Sequence, residues 1–373
     1  MNGRDILFLS TNRYDVYFPS RKTRFAKFLS ENGFRVVYVE SPYTYLAYLK
    51  RGFKSDNAGN LERVSDTFYI LRSFPIWPFF KKYTFFNRLD EGIYYSKISN
   101  TLKEISFEPR IIFNYMPFFP NALKTFDARL IYDCVDDHAS FNGLINPIFV
   151  NKLEKETVQL SDVVMVTDNE ALINKIKGFG KPPVVVGNGV NYELFSQWLK
   201  KKDSLQIKKQ IVYVGAIADW FDADLVYDVA NAFKDFEIIL IGFVSTDISQ
   251  LQGLSNVKFL GKKTQEEFAP ILSESAVAIV PFKVNDLTKK VDPLKIYEYL
   301  SAGVSVVSTA VGNVSKFPVY IGTTHKEFIE KIQLAISEDN IDKRTQRTVE
   351  AKIYSWENKF KKVLEIVENL LNG

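Results

Sequence analysis

Short apolar runs rich in Val, Ile and aromatic residues alternate along this chain with longer stretches whose apolar positions recur at helical spacing. This is the pattern of βαβ units and parallel sheets. In the first half the runs fall at residues 6–10, 35–39, 110–113, 130–133, 163–166 and 184–186, with helical patterns such as 21–31 and 147–159 between them. A second series runs through residues 211–214, 237–241, 257–260, 277–280 and 304–308, again with a helical pattern after each. The reading is α/β, with two Rossmann-like doubly wound parallel-sheet domains.

The boundaries follow from where the pattern lapses. A polar stretch at residues 188–210 carries Lys200, Lys201, Lys202 and Asp203 with little apolar periodicity. We expect an N-terminal domain over 1–190, a linker over 191–209 and a C-terminal domain over 210–354. The segment 355–373 forms a last helix, with Phe360, Val363, Leu364 and Val367 on its apolar face, that is free to pack on either domain.

Composition narrows the partners. With 373 residues and 46% of them apolar, two cores are affordable, and a net charge of +4 from 48 basic and 44 acidic residues offers no bulk field for a nucleic acid. The single cysteine, Cys134, fits a reducing compartment, and no apolar run reaches the length of a membrane span. A cytoplasmic protein is expected, with contact at the inner membrane face an added option raised below.

Cofactor signals are sparse. The first strand runs into Thr11, Asn12, Arg13, Tyr14 and Asp15 without a glycine, and the strand opening the second half is followed by Gly215 alone, so a dinucleotide fingerprint is missing. Two histidines, His138 and His325, make a zinc site improbable. Asp222-Ala223-Asp224 spells D-x-D, but it opens a helix, where aspartates cap, so we read no metal there. No cofactor and no metal are expected.

The most informative stretch is residues 292–308. Asp292 suits an N-cap, Pro293 the first helical position and Gly303 the helix end, after which an apolar strand follows. The helix start should face the carboxyl edge of the sheet, where free N–H groups favour phosphate. Lys295 and Glu298, three apart, share one face of that helix. There a lysine can neutralise a diphosphate and a carboxylate can accept from both hydroxyls of a ribose, although an ordinary ion pair gives the same spacing.

Glu298-Tyr299-Leu300-Ser301-Ala302-Gly303-Val304-Ser305-Val306-Val307 resembles the E-A-M-A-x-G-x-P-V-V signature of retaining GT-B glycosyltransferases, especially glycosyltransferase family four and its teichuronic-acid-type relatives of surface polysaccharide synthesis. Other segments are similar to that group in the same order: Ser161-Asp162-Val163-Val164, Val186-Gly187-Asn188-Gly189-Val190-Asn191 with Phe195, Val214-Gly215-Ala216-Ile217, and Leu260-Gly261-Lys262-Lys263. The resemblance spans about residues 130–310. It implies two domains facing a central cleft and a nucleotide-diphospho-sugar donor.

The resemblance also implies roles. Glu298 would hold the ribose, Gly215, Ala216 and the amides around Pro293 and Leu294 the diphosphate, and Lys262 and Lys263 the base edge. Two departures stand out. Where the family often has the first glutamate of an E-x7-E pair this chain has Lys290, and after the V-G strand it has Ala216 and then Asp219-Trp220-Phe221-Asp222 instead of a basic pair. Lys295, with Lys289 or Lys290, is read as the compensating charge. A non-catalytic binding subunit and a nucleotide-sugar epimerase of the same fold stay open beside the transferase.

In the first half, Asp136, Asp137 and His138 follow a strand end and are candidates for orienting the sugar and relaying the acceptor proton. Arg21 and Lys22 open the helix after the first strand and are candidates for an anionic acceptor or the donor phosphate. Two segments, 43–51 and 74–86, mix aromatics with lysine and arginine. Trp77, Phe79, Phe80, Lys81 and Lys82 are read as membrane-facing, which would suit a lipid-linked or polysaccharide acceptor, with an unusual aromatic core as the alternative.

Overall fold

The computed structural model describes residues 4–14, 20–46, 57–141, 143–200 and 206–373, with the backbone alone at Lys200 and Lys290. Asp15, residues 47–51 of the first aromatic segment, and Lys201, Lys202 and Asp203 lie outside the described residues. The chain forms two compact units, Met1–Val186 with Phe360–Gly373, and Gly187–Lys359.

The first unit is built on an eight-stranded sheet. Its strands are β1 (Asp5–Leu9), β2 (Arg35–Val39), β3 (Leu61–Arg63), β4 (Phe68–Leu71), β5 (Ile111–Asn114), β6 (Arg129–Cys134), β7 (Val163–Val166) and β8 (Val184–Val185), in the order β8-β7-β6-β5-β1-β2-β4-β3. All neighbours are parallel except the β3–β4 edge pair. The order reverses between β1 and β5, and a crevice opens at the carboxyl ends of such a pair. Helices α1 (Arg21–Glu31), α2 (Thr84–Glu104), α3 (Pro147–Leu160) and α4 (Glu170–Gly178) cover the faces. Ser20 and Asn146 cap α1 and α3 through their side chains, and Asn169 caps α4.

The second unit has a six-stranded parallel sheet: β9 (Lys208–Val214), β10 (Glu237–Ile241), β11 (Val257–Gly261), β12 (Ser275–Val280), β13 (Ser305–Thr309) and β14 (Tyr320–Gly322), ordered β11-β10-β9-β12-β13-β14. Its switch point lies between β9 and β12. Along β9, Ile211 and Tyr213 enter one core cluster while Val212 and Val214 enter the other, so the strand is buried on both faces and reads as a continuous apolar run. Helices α5 (Ala223–Ala232), α6 (Gln265–Glu274), α7 (Leu294–Ser301), α8 (His325–Glu338) and α9 (Ile341–Ala351) pack against it.

Two boundaries are corrected. Residues 191–209 are not a linker: Tyr192–Lys200 is a helix whose Phe195 is fully buried in the second unit's core beside Val190, with Leu194 and Trp198 packed against them. Its apolar face was hidden among lysines. The units divide at Gly187 rather than at 190, and the final helix α10 (Trp356–Asn372) contributes residues up to Lys359 to the second unit and the rest to the first. Within the first unit Phe360 stacks on Phe28 at 4.4 Å, Lys362 donates to the Val185 carbonyl at 2.9 Å, and Glu368 pairs with Arg4 at 3.0 Å.

Candidate functional site

In the second unit, the carboxyl ends of β9 and β10 are drawn together by two glycines. A Cβ on Gly242, whose φ is +151°, would lie 1.8 Å from the Gly215 carbonyl oxygen, so no side chain fits between the two loops. A Cβ on Gly215 would in turn sit 3.4 Å from Lys295 Cε, which puts the α7 lysine directly over the Gly215 loop. The Ala216 carbonyl accepts from the Tyr213 hydroxyl at 2.8 Å, fixing the turn.

Helix α7 starts differently from expectation. Pro293, not Asp292, is the capping residue, and no side chain caps the helix. Asp292 is instead held by Tyr297 at 2.6 Å, Asn313 at 3.0 Å and Asn188 at 2.8 Å, and burial raises its pKa against those hydrogen bonds. The carboxylate therefore ties the approach to α7 in place. The Ile296 amide donates to the Pro293 carbonyl at 3.1 Å, and among the described residues no side chain accepts from the amides of the first turn.

Glu298, the fifth residue of α7, is only 6% exposed. Its Oε1 accepts from Gln265 Nε2 at 2.7 Å, and its Oε2 lies 3.4 Å from Lys295 Nζ. Gln265 is the first residue of α6, whose start is fixed by a capping box between Thr264 and Glu267. Lys263, just before that box, thus lies at the same edge, and Lys262 stands over the ring of Phe243 at 5.2 Å. Gly215, Ala216, Lys263, Pro293, Leu294, Lys295 and Glu298 all sit in loops or a helix start at the carboxyl ends of β9, β11 and β12.

In the first unit, a cavity of about 290 Å³ lies at the switch point, lined by loops that follow β1, β2, β5 and β6. Asp136 and His138 line it, together with Asn12, Lys81, Phe118 and Phe141. His138 is 2% exposed, its Nε2 has no hydrogen-bond partner among the described residues, and its ring meets Phe118 and Phe141 edge-on at 5.4 and 5.8 Å. Burial, with Lys22, Lys81 and Lys175 nearby, pushes its pKa down to about 3, so the imidazole is neutral at pH 7. Asp136 reaches solvent, yet the protein crowded around it raises its pKa, an effect that Lys22 partly offsets.

The three carboxyl-edge candidates of this loop do different work. Asp137 is not free for proton relay: its Oδ1 pairs with Lys175 at 2.7 Å and its Oδ2 accepts from Ser140 at 2.5 Å. Lys175 also pairs at 2.5 Å with the fully buried Glu154, which accepts from Tyr132 at 2.7 Å. That network anchors the loop from below. Asp136 and His138 alone of the three line the cavity.

Residues 208–336 match the family model described as glycosyl transferases group 1. That span contains Gly215, Lys263, Lys295 and Glu298. The fold is of the GT-B type. The chain is 26% identical over 329 residues, 79% of this chain and 82% of the other, to TuaH of Bacillus subtilis (strain 168), named as a teichuronic acid biosynthesis glycosyltransferase. In fold it is similar to sucrose-phosphate synthase from Thermosynechococcus elongatus, with a TM-score of 0.72 at 13% identity and 99% of each chain covered. It is also similar to HepE of Anabaena, with a TM-score of 0.67 at 12% identity, covering 98% of this chain and 100% of that one.

Several sequence readings of the first unit are corrected. Arg21 is not an exposed cation: 5% exposed, it clamps Asp133 with Nε–Oδ2 at 2.8 Å and Nη2–Oδ1 at 3.0 Å, and donates to the Val186 carbonyl. Lys22 is 4% exposed and donates to Thr11 and Asn12 at 2.5 and 3.3 Å, so it braces the cavity floor, and burial lowers its pKa.

Among the aromatic residues, Trp77 is 45% exposed and packs on Tyr45 at 5.3 Å, while Phe79, with φ +76°, packs on Tyr83 and Phe86. Phe80 does not face outward; it is buried against Phe118 and Phe119. Lys81 points at the cavity, 4.2 Å over the ring of Phe118, and Lys82 lies over Tyr83 at 5.4 Å.

Gln265 and Gly242 went unread in the sequence. A glutamine at the first helical position inside a Thr-x-x-Glu box, and a lone glycine after an apolar strand, were the signals available.

Proposed function

We propose that the protein is a glycosyltransferase that takes its sugar from a nucleotide-diphospho-sugar held by the second unit and passes it to a lipid-linked or polysaccharide acceptor. The observation that carries this reading is the Gln265–Glu298–Lys295 array over the Gly215 loop. A buried carboxylate with one oxygen set by an amide and the other near an ammonium is pre-oriented to accept from two adjacent ribose hydroxyls. Lys295, the Gly215–Ala216 loop and the N–H groups at the start of α7 offer charge and donors for the diphosphate. Lys263 would edge the base. HepE structures contain UDP, and UDP-glucose, which supports the same ligand class here.

In the first unit, Asp136 and His138 would orient the sugar and the acceptor hydroxyl, with Asp136 the better proton acceptor because His138 is neutral but enclosed. Retention and metal independence come from the family resemblance. The D-x-D string supports the second point: Asp222 accepts from the Leu225 amide at 3.0 Å as a helix cap, and Asp224 accepts from Gln250 at 2.8 Å. No described helix is long and apolar enough to cross a membrane, so a lipid acceptor would be met from the surface.

The test is a transfer assay with UDP-, GDP- and ADP-sugars and a bacterial lipid extract, with and without EDTA. Release of nucleoside diphosphate coupled to a new glycolipid, unaffected by EDTA and with the donor's anomeric configuration kept, is expected. Hydrolysis without transfer, inversion, or loss of activity in EDTA would each remove the corresponding part of the reading.

A further inference from the structure

The first unit's cavity holds a cation that the protein itself does not satisfy. Lys81 Nζ has no hydrogen bond or ion pair among the described residues; its contacts are the rings of Phe118 at 4.2 Å and Phe80 at 5.3 Å. Lysines brought this far out of water normally have a carboxylate partner. Desolvation brings its pKa down to about 8, so it still carries charge at neutral pH. Lys22 adds a second cation behind the lining residues Thr11 and Asn12, to which it donates, and Asp136 is the one carboxylate among the described residues that line the cavity. His138 Nε2, nearly fully buried and unpartnered, is a second group directed at the same space.

The rim differs from the floor. Tyr45, next to the cavity-lining Thr44, packs on Trp77, the two being 40% and 45% exposed. Phe141 lines the cavity, and Phe141, Leu144 and, in the first turn of α3, Ile148 stand exposed, with the Asn146 amide tied to the Lys81 carbonyl at 2.9 Å. A cationic pocket with exposed apolar side chains on the segments beside it matches the layering of a bilayer surface, with phosphate at one depth and carbon below it. A free sugar phosphate would call for the floor alone.

We propose that this cavity receives the phosphate-bearing headgroup of a membrane lipid, with Lys81 as the residue that meets the phosphate and His138 as a second hydrogen-bonding group. Calling that lipid the acceptor rests on the transferase reading; the phosphate site itself does not. Phe118 and Phe141 supply the flat walls, and Trp77 and Ile148 enter the lipid.

The full-length protein is floated with phosphatidylcholine vesicles, with and without phosphatidic acid, as wild type, Lys81→Met, Ile148→Ser and the surface control Lys177→Met. UDP affinity of each is measured in parallel by calorimetry. The expected result is binding to the phosphatidic acid vesicles that Lys81→Met weakens by about tenfold, the scale of a lost charge-assisted hydrogen bond. Ile148→Ser should weaken it too, Lys177→Met should not, and UDP affinity should stay the same in all four. Equal loss in Lys81→Met and Lys177→Met, or none in either, overturns the site. Lys81-dependent binding of inorganic pyrophosphate without vesicle binding overturns the lipid assignment. If UDP fails to bind while Lys81→Met still releases the vesicles, the donor reading falls and this site stands.

Discussion

Gln265 Nε2 and Glu298 Oε1 are 2.7 Å apart, joining the start of α6 to the middle of α7 at the carboxyl edge of the second sheet. The contact fixes one oxygen of a carboxylate that is otherwise held by Lys295 alone in that helix. Gln265→Ala should leave the α6 cap intact, because Thr264 and Glu267 make it, and should loosen Glu298. The expected effect is a loss of about 1 kcal/mol in nucleotide affinity, roughly fivefold, with no fall in thermal stability. Calorimetry with UDP and a melting curve read the two separately.

Gly242 is placed where no other residue fits. A Cβ 1.8 Å from the Gly215 carbonyl must push the β9 and β10 loops apart. Gly242→Ala is expected to cost about 1–3 kcal/mol of stability in the second unit, the range for overpacking, and to weaken nucleotide binding by moving Gly215 away from Lys295. Urea denaturation and the same calorimetric titration check both.

Arg21 and Asp133 form a buried pair that leaves little room for compensation. Arg21→Met strands the Asp133 carboxylate, and about 3–5 kcal/mol of the first unit's stability should go with it. Cys134, the next residue in β6, reports the event: it is fully buried and its thiol pKa is pushed up by burial, so a thiol reagent reaches it only after unfolding. Arg21→Met should accelerate Cys134 labelling strongly. Unchanged labelling would mean the pair contributes little.

His138 sets an acid limit. Its pKa lies below the unfolded value of 6.5, near 3, so the unfolded chain binds a proton that the folded one refuses. Its stabilising contribution is therefore fully present above pH 6.5 and is lost progressively as pH falls toward 3, by up to about 1.4 kcal/mol per pH unit. The surrounding charges are Lys22, Lys81 and Lys175, which reinforce the shift, and Asp137, which opposes it. His138→Phe should flatten the acid limb of a stability–pH curve between pH 6 and 4, and an NMR titration should show the imidazole without a transition near neutrality.

The sheets were legible because their central strands are buried on both faces and so read as unbroken apolar runs; residues 211–214, 237–241 and 277–280 fall within β9, β10 and β12. Helix α2 was not, since its buried side carries Asn87, Asp90, Glu91 and Thr101, and polar residues at core positions erase the helical period. Asn87 donates to the Phe80 and Phe118 carbonyls, and Glu91 accepts from Asn121 and Ala122, work that only the fold reveals. The helix at Tyr192–Lys200 was obscured instead by the lysine run that follows its apolar face.

At the sites, Lys295 and Glu298 could be read because helical spacing alone places them on one face. Arg21 and Asp137 were misjudged because their partners, Asp133 and Lys175, lie 112 and 38 residues away in sequence. Charge near a strand end marks a crevice, but only long-range pairing tells which charges are spent on structure. Lys81 was found in its segment, but the cavity it lines is made by loops far apart in sequence.

The most direct measurement is a calorimetric titration of UDP, GDP and ADP into wild type and Glu298→Ala, without added metal. Binding of one nucleotide that Glu298→Ala weakens by about 1–3 kcal/mol, roughly five- to 150-fold, is the predicted result. No nucleotide binding, or equal affinity in both proteins, would contradict a donor site at Glu298.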